Sequence, residues 1–290
     1  MNFINVQWPS RKFVSILDVL RSISPINQVY LLVGLSLFLQ YFLNALVYYQ
    51  FIPDFFGHSL NGITKNSTYL IPGFLALISA GFFTGRAGIL KILRPYKVFP
   101  LNPFWWLFSL GIIIVILWLS LHLNNLLYQQ ELLSYTVKFP PWQSIASSAP
   151  LFIQVALSDE LFWIGFIYPR LVASGHTPLK ASLLMGIFWG IQYVPYVYTQ
   201  FFVGPGLSVS SLVFGWFALS PIYMWLYHRT GSAIIIVFFN VCMQFSFSAL
   251  PTLPLIVGDN TVVAMANLVT LLVGLFIWKY FPGTNHSNSY

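Results

Sequence analysis

Charge is what this chain has least of. Only 7% of its 290 residues are charged, six acidic and thirteen basic, against about 25% in soluble domains, so an ordinary soluble domain is excluded. Cysteine is rarer still. Cys242 stands alone inside an apolar run, so the sequence offers neither a disulfide framework nor a thiolate metal cluster, and the redox compartment stays open. Period-two alternation is missing as well: the apolar runs are continuous, which excludes a membrane β-barrel. No repeat of 20–50 residues and no low-complexity tract is found. The first residues are read as lacking a cleavable signal, because a compact apolar region followed by small residues is absent.

Apolar residues, 58% of the chain, gather into stretches of about the twenty residues needed to cross a hydrocarbon core roughly 30 Å thick. Eight such spans are expected: Val29–Phe51, Tyr69–Gly85, Phe104–Leu123, Ala149–Tyr168, Leu179–Tyr198, Leu207–Tyr227, Gly231–Leu250 and Thr261–Tyr280. The fold class is therefore all-α, a multi-pass transmembrane bundle in which each helix satisfies its own backbone. With the N-terminus in the cytoplasm, alternating loops place eleven basic residues on one side: Arg11, Lys12, Arg21, Arg86, Lys91, Arg94, Lys97, Arg170, Lys180, Arg229 and Lys279. The other side receives only Lys65 and Lys138. This asymmetry implies an integral membrane protein with both termini cytoplasmic. It also accounts for the net charge of +7 without a nucleic-acid partner.

Four segments are expected. Residues 1–28 form a cytoplasmic interfacial segment in which Phe13, Ile16, Leu17, Leu20 and Ile23 recur at helical spacing. Residues 29–143 hold three spans, 144–250 form a core of four, and 251–290 hold the last span and a polar tail.

The fourth span carries the adjacent pair Asp159-Glu160, and three amides lie inside other spans: Gln192 in the fifth, Asn240 and Gln244 in the seventh. An intramembrane carboxylate costs several kcal/mol, so an acidic pair at mid-span marks a functional site more often than a packing contact. For a single amide the reverse holds, because Asn and Gln commonly serve as interhelical hydrogen-bonding glue. Counted from the basic ends, all five residues lie roughly 12–20 Å deep, and Asn240 and Gln244 share a helix face, so one central cavity can receive them.

Three stretches around these residues resemble the motifs of a known family. Asp159-Glu160-Leu161-Phe162-Trp163-Ile164-Gly165, continuing to Tyr168-Pro169-Arg170, is similar to a Glu-Glu pair, three residues, then Arg. Phe188-Trp189-Gly190-Ile191-Gln192 is similar to Phe, three residues, then His. Asn240 and Gln244, following Thr230-Gly231-Ser232, match a His, three residues, Asn element. By these motifs the chain resembles the CPBP intramembrane proteases, the CAAX-prenyl-protease and bacteriocin-processing (Abi) family. The resemblance covers roughly Ser144 to Leu250. It implies a cavity opening toward the cytoplasm and the bilayer, and endoproteolysis of prenylated proteins or membrane-associated peptides. It also implies the catalytic positions: Asp159 and Gln192 for activating water, Asn240 and Gln244 for holding the oxyanion, and Glu160 completing the acidic pair.

Chemically the match is weaker than the spacing. Asp for Glu withdraws the carboxylate by one methylene, and a misplacement of about an ångström can cost 10²-fold in rate. Gln for His removes a general base, a group that contributes typically 10²–10⁴-fold. Asn and Gln can still donate to an oxyanion. Ile164 stands where the family carries Arg, and the five histidines, His58, His122, His176, His228 and His286, all fall outside the expected cavity. No cofactor is expected, and a metal at the carboxylates lacks a histidine to complete its ligand set.

Three functions follow. The first is a family member with weak or lost protease activity, a pseudoenzyme that binds a hydrophobic or lipidated peptide or a membrane partner. The second is a working endopeptidase with Asp159 or Glu160 as base. The third is a proton-coupled transporter, disfavoured because matched broken spans in repeated halves are missing.

The topology is checked by impermeant thiol labelling of single cysteines introduced in place of Lys97, Arg229 and Lys138. Lys97 and Arg229 should report the cytoplasmic side and Lys138 the opposite one. Labelling of Lys97 and Lys138 from the same side would refute the orientation.

Overall fold

The computed structural model describes residues 22–49, 68–128, 142–199, 206–249 and 260–282. The interfacial segment up to Arg21, the lysines Lys65 and Lys138, His58 and His286, and the polar tail lie outside these residues. Among the described residues the architecture is all-helical, with eight helices in the expected order. They are α1 (Pro25–Tyr48), α2 (Ile71–Leu93), α3 (Pro103–Tyr128), α4 (Trp142–Phe162, continuing through Trp163–Ile167 into Tyr168–Ala173), α5 (Pro178–Thr199), α6 (Val209–Thr230), α7 (Ala233–Ala249) and α8 (Thr261–Tyr280).

Six of them, α1, α2, α3, α4, α6 and α8, are long and apolar enough to cross a membrane. The apolar stretch of α7, Ala233–Ser246, is shorter, and α5 carries Lys180, Gln192 and three tyrosines along its 22 residues. Successive helices alternate in direction, so Arg86, Lys91, Arg94, Lys97, Arg170, Lys180, Arg229 and Lys279 gather toward one end of the bundle.

The helix ends follow local chemistry. Ser208 caps α6, its hydroxyl accepting from the Ser211 N–H at 3.1 Å. At the other end Gly231 adopts the left-handed conformation (φ 63°) that terminates the helix. Two prolines interrupt helices deep in the bundle, and each frees the carbonyl four residues earlier. Pro195 frees the Ile191 carbonyl, which accepts from the Tyr41 hydroxyl of α1 at 2.8 Å. Pro221 frees the Phe217 carbonyl, which accepts from the Ser220 hydroxyl at 3.1 Å. Both breaks are thereby satisfied internally, as an environment without water demands.

Two departures from the expected spans bear on the site. The second span is not short: α2 runs to Leu93, with a kink at Gly85, whose φ of 64° and ψ of −156° break the helix. That conformation is open only to glycine. The fourth helix is not uniform either, because Trp163–Ile167 forms a π-helical turn just past the acidic pair.

Helix α4 runs through the interior, packed against α2 and α7, with its π turn also reaching α5. Helices α5 and α6 make the most extensive contact in the bundle. It is backbone to backbone, since a Cβ at Gly190 would stand 2.7 Å from the Val213 Cα and one at Gly186 2.7 Å from the Trp216 carbonyl oxygen. Gly186 and Gly190 are four apart, the small-residue spacing that lets membrane helices approach closely.

Gly190→Ala should therefore force α5 off α6 and destabilise the protein by about 1–3 kcal/mol, the usual cost of overpacking. Gly111→Ala, whose new Cβ would meet nothing within 4 Å, should be neutral or stabilising by up to about 1 kcal/mol. Thermal unfolding in detergent compares them; equal midpoints would refute the close approach.

Candidate active site

The five residues singled out by sequence are all buried: Asp159 is 2% exposed, Glu160 0%, Gln192 3%, Asn240 1% and Gln244 8%. They form two linked arms. On one arm the Asp159 carboxylate faces α5. Its Oδ1 accepts from Gln192 Nε2 at 3.3 Å, and its Oδ2 accepts from the Tyr193 hydroxyl at 2.6 Å and from the Trp189 indole N–H at 3.3 Å. On the other arm the Glu160 Oε1 accepts from Asn240 Nδ2 at 3.3 Å, and the Asn240 Oδ1 accepts from Gln244 Nε2 at 2.8 Å. Adjacent residues on a helix point about 100° apart, so this pair reaches α5 with one side chain and α7 with the other.

Trp189 and Tyr193 were not singled out by sequence. The signal was present, because Trp189, Gln192 and Tyr193 stand at i, i+3 and i+4 and share one face of α5. A polar tip on a buried aromatic usually finds a partner. Phe188, which the motif emphasises, sits half-buried with its ring edge-on to Tyr30 of α1 at 6.5 Å.

Around Asp159 the walls are aromatic. Trp189 stacks between Trp163 and Trp216, with ring centroids 5.7 and 4.4 Å away, and Tyr193 packs against Trp216 at 4.9 Å. Glu160 has a different surrounding. Its Oε2 is buried without a hydrogen-bond partner, as are the hydroxyls of Tyr96 and Tyr223 and the Trp163 indole N–H.

A cavity of about 490 Å³ lies one helical turn further toward the basic end, lined by residues of α1, α2, α4 and α6. Ile164 lines it, but none of the five polar residues does. The expected arrangement, five groups around one open cavity, is thus divided: the groups meet one another in the protein interior, and the cavity begins below them. His228 lines this cavity and is hydrogen-bonded to the Tyr168 hydroxyl. His176 bonds Ser174 at the α4–α5 turn, and His122 packs on Trp118. No described histidine is hydrogen-bonded to the acidic pair, and no third Asp, Glu, His or Cys among the described residues completes a metal-sized cluster with it.

The fold and the site together define a multi-pass helical membrane protein with a buried carboxylate–amide centre. Residues 140–246 match the family model of the type II CAAX prenyl endopeptidases, described as Rce1-like. Over this segment the chain is similar to the CAAX-protease family. No curated protein matches the chain.

Tyr193→Phe removes the shortest bond to Asp159 and should lower stability by about 1.5–3 kcal/mol, the range for hydrogen bonds to charged groups. Tyr223→Phe removes a hydroxyl with no partner and should be neutral or stabilising. Denaturation of both variants in detergent checks this; equal losses would refute the Asp159 contact as a stabilising one.

Proposed function

We propose that this chain is a divergent CAAX-protease-like membrane protein whose peptidase activity is weak or lost, and which binds a hydrophobic or lipidated peptide or a membrane partner within the fold formed by residues 144–250. One observation carries this reading. The groups that the motifs would use for catalysis are bonded within the protein: Asp159 accepts three hydrogen bonds, Asn240 donates to Glu160, and Gln244 donates to Asn240. A water held by Asp159 would have to displace a donor, and Gln192 has no basic nitrogen to take its proton. The family match supports the substrate class, a prenylated peptide, as what such a site descends from.

A second reading, a working endopeptidase, is favoured by Glu160 Oε2, a buried acceptor without a hydrogen-bond partner. A carboxylate oxygen in that state is available to a substrate water.

The two readings separate on a five-residue variant: Asp159→Glu, Ile164→Arg, Gln192→His, Asn240→His and Gln244→Asn, which installs the full family pattern. Ile164 lines the cavity, so a longer side chain there has space to extend. In liposomes with a farnesylated CAAX-type peptide, the variant should cleave at least about 10²-fold faster than the parent, the low end of what a general base contributes. If the parent itself cleaves, and Asp159→Ala with Glu160→Ala abolishes cleavage, the weak-activity reading is wrong.

A further inference from the structure

The cavity at the basic end has a lining that the protease reading does not use. Its cations are Lys91 and Arg94 from the end of α2 and Arg170 from the end of α4, and no acidic side chain lines it. Among the described residues the only carboxylates are Asp159 and Glu160, each held by the bonds described above. The three cations therefore converge on the same space without a counter-charge from the described residues.

Arg170 is pre-set rather than loose. Its Nε donates to Gln28 Oε1 at 2.7 Å, its Nη1 donates to the Phe166 carbonyl at 3.0 Å, and its guanidinium lies 3.3 Å over the Phe166 ring. Those two bonds use two of the five guanidinium N–H donors, leaving three for a ligand. Holding the fork in place reduces the entropy lost on binding.

The glycine kink in α2 shapes the wall. At Gly85 the helix departs from its axis, and Ala80, Thr84, Gly88, Lys91 and Arg94, on both sides of the kink, all line the cavity. The lining is graded: Ala80, Ile92 and Ile164 are apolar, whereas the cations come from the helix ends, where the basic residues of the whole bundle collect. The volume, about 490 Å³, lies within the roughly 300–1,000 Å³ of small-molecule sites.

From these features we infer that the cavity binds a phosphate monoester, supplied by the headgroup of phosphatidic acid. A phosphate monoester carries about −1.5 to −2 charge near neutral pH, a better match to three cations than the single charge of a peptide carboxylate. Arg presents its donors in a fork that fits phosphate oxygens bidentately, and Lys serves as a point charge beside it. A basic pocket between membrane helices is a setting in which anionic lipids bind. The apolar depth favours a lipid over free phosphate, which would leave that part of the cavity unfilled.

The test uses the full chain, purified in a neutral detergent, and measures retention of dioleoyl phosphatidic acid against dioleoyl phosphatidylcholine. Phosphatidic acid should be retained at least about tenfold better. Lys91→Gln with Arg94→Gln, both exposed and remote from the packed interior, should reduce that retention roughly 10- to 30-fold, while Lys180→Gln with Lys279→Gln, at the same end but outside the cavity, should leave it unchanged. Competition by inorganic phosphate at the lipid's own concentration would keep the phosphate site but assign its source to solution. Equal retention of the two lipids, equal loss in both double variants, or displacement by a farnesylated peptide carboxylate but not by phosphate would overturn the inference.

Discussion

Burying two adjacent carboxylates in the middle of a membrane bundle is the constraint on which the rest of this structure depends. Neither Asp159 nor Glu160 has a cationic neighbour among the described residues, so their burial must be offset by hydrogen-bond donors alone. Four donors are supplied: two aromatic tips and an amide from α5, and an amide from α7. A hydrogen bond to an ionised group is roughly twice as strong as one between neutral groups. It acts only if both helices are held against α4, which makes helix packing a condition of electrostatics here.

That condition explains where the glycines and prolines fall. Gly186 and Gly190 seat α5 directly on the backbone of α6, and on the same flank Trp189 and Tyr193 pack against Trp216 of α6 while their polar tips donate to Asp159. Gly73 brings α2 equally close to α4: its N–H donates to the Ser158 hydroxyl at 3.0 Å, one residue before the acidic pair. Pro195 and Pro221 fall where a hydroxyl is in place to satisfy the freed carbonyl. In lipid such compensation is required, because no water can supply it.

The all-helical class and the helix order were legible because continuous apolar runs and basic loops are strong signals, and because eight runs of near-equal length allow one alternating arrangement. The convergence of Asp159 with Gln192 and of Glu160 with Asn240 was legible from depth and spacing. The kink at Gly85 was not: one glycine in an apolar run is compatible with a straight helix, and only packing selects φ near 64°. The π turn at Trp163–Ile167 has no local signature either. It leaves the apolar pattern intact. Trp189 and Tyr193 were hidden for another reason, since in a chain with 19% aromatic residues an aromatic beside a motif does not stand out as a hydrogen-bond donor.

Position 164 ties these strands together. In the family pattern an arginine stands four residues after the acidic pair, where it would place a positive charge beside the carboxylates. Here Ile164 is 1% exposed and forms part of the boundary between the carboxylate centre and the basic cavity. An isoleucine has no hydrogen-bonding group, so it neither neutralises the pair nor recruits water to it. Asp159 then has to draw its donors from α5, and the cations at the basic end are left for something other than the acids. One apolar residue on the π turn thus stands between a carboxylate centre that draws its donors from α5 and α7 and a cavity whose cations meet no acidic side chain among the described residues.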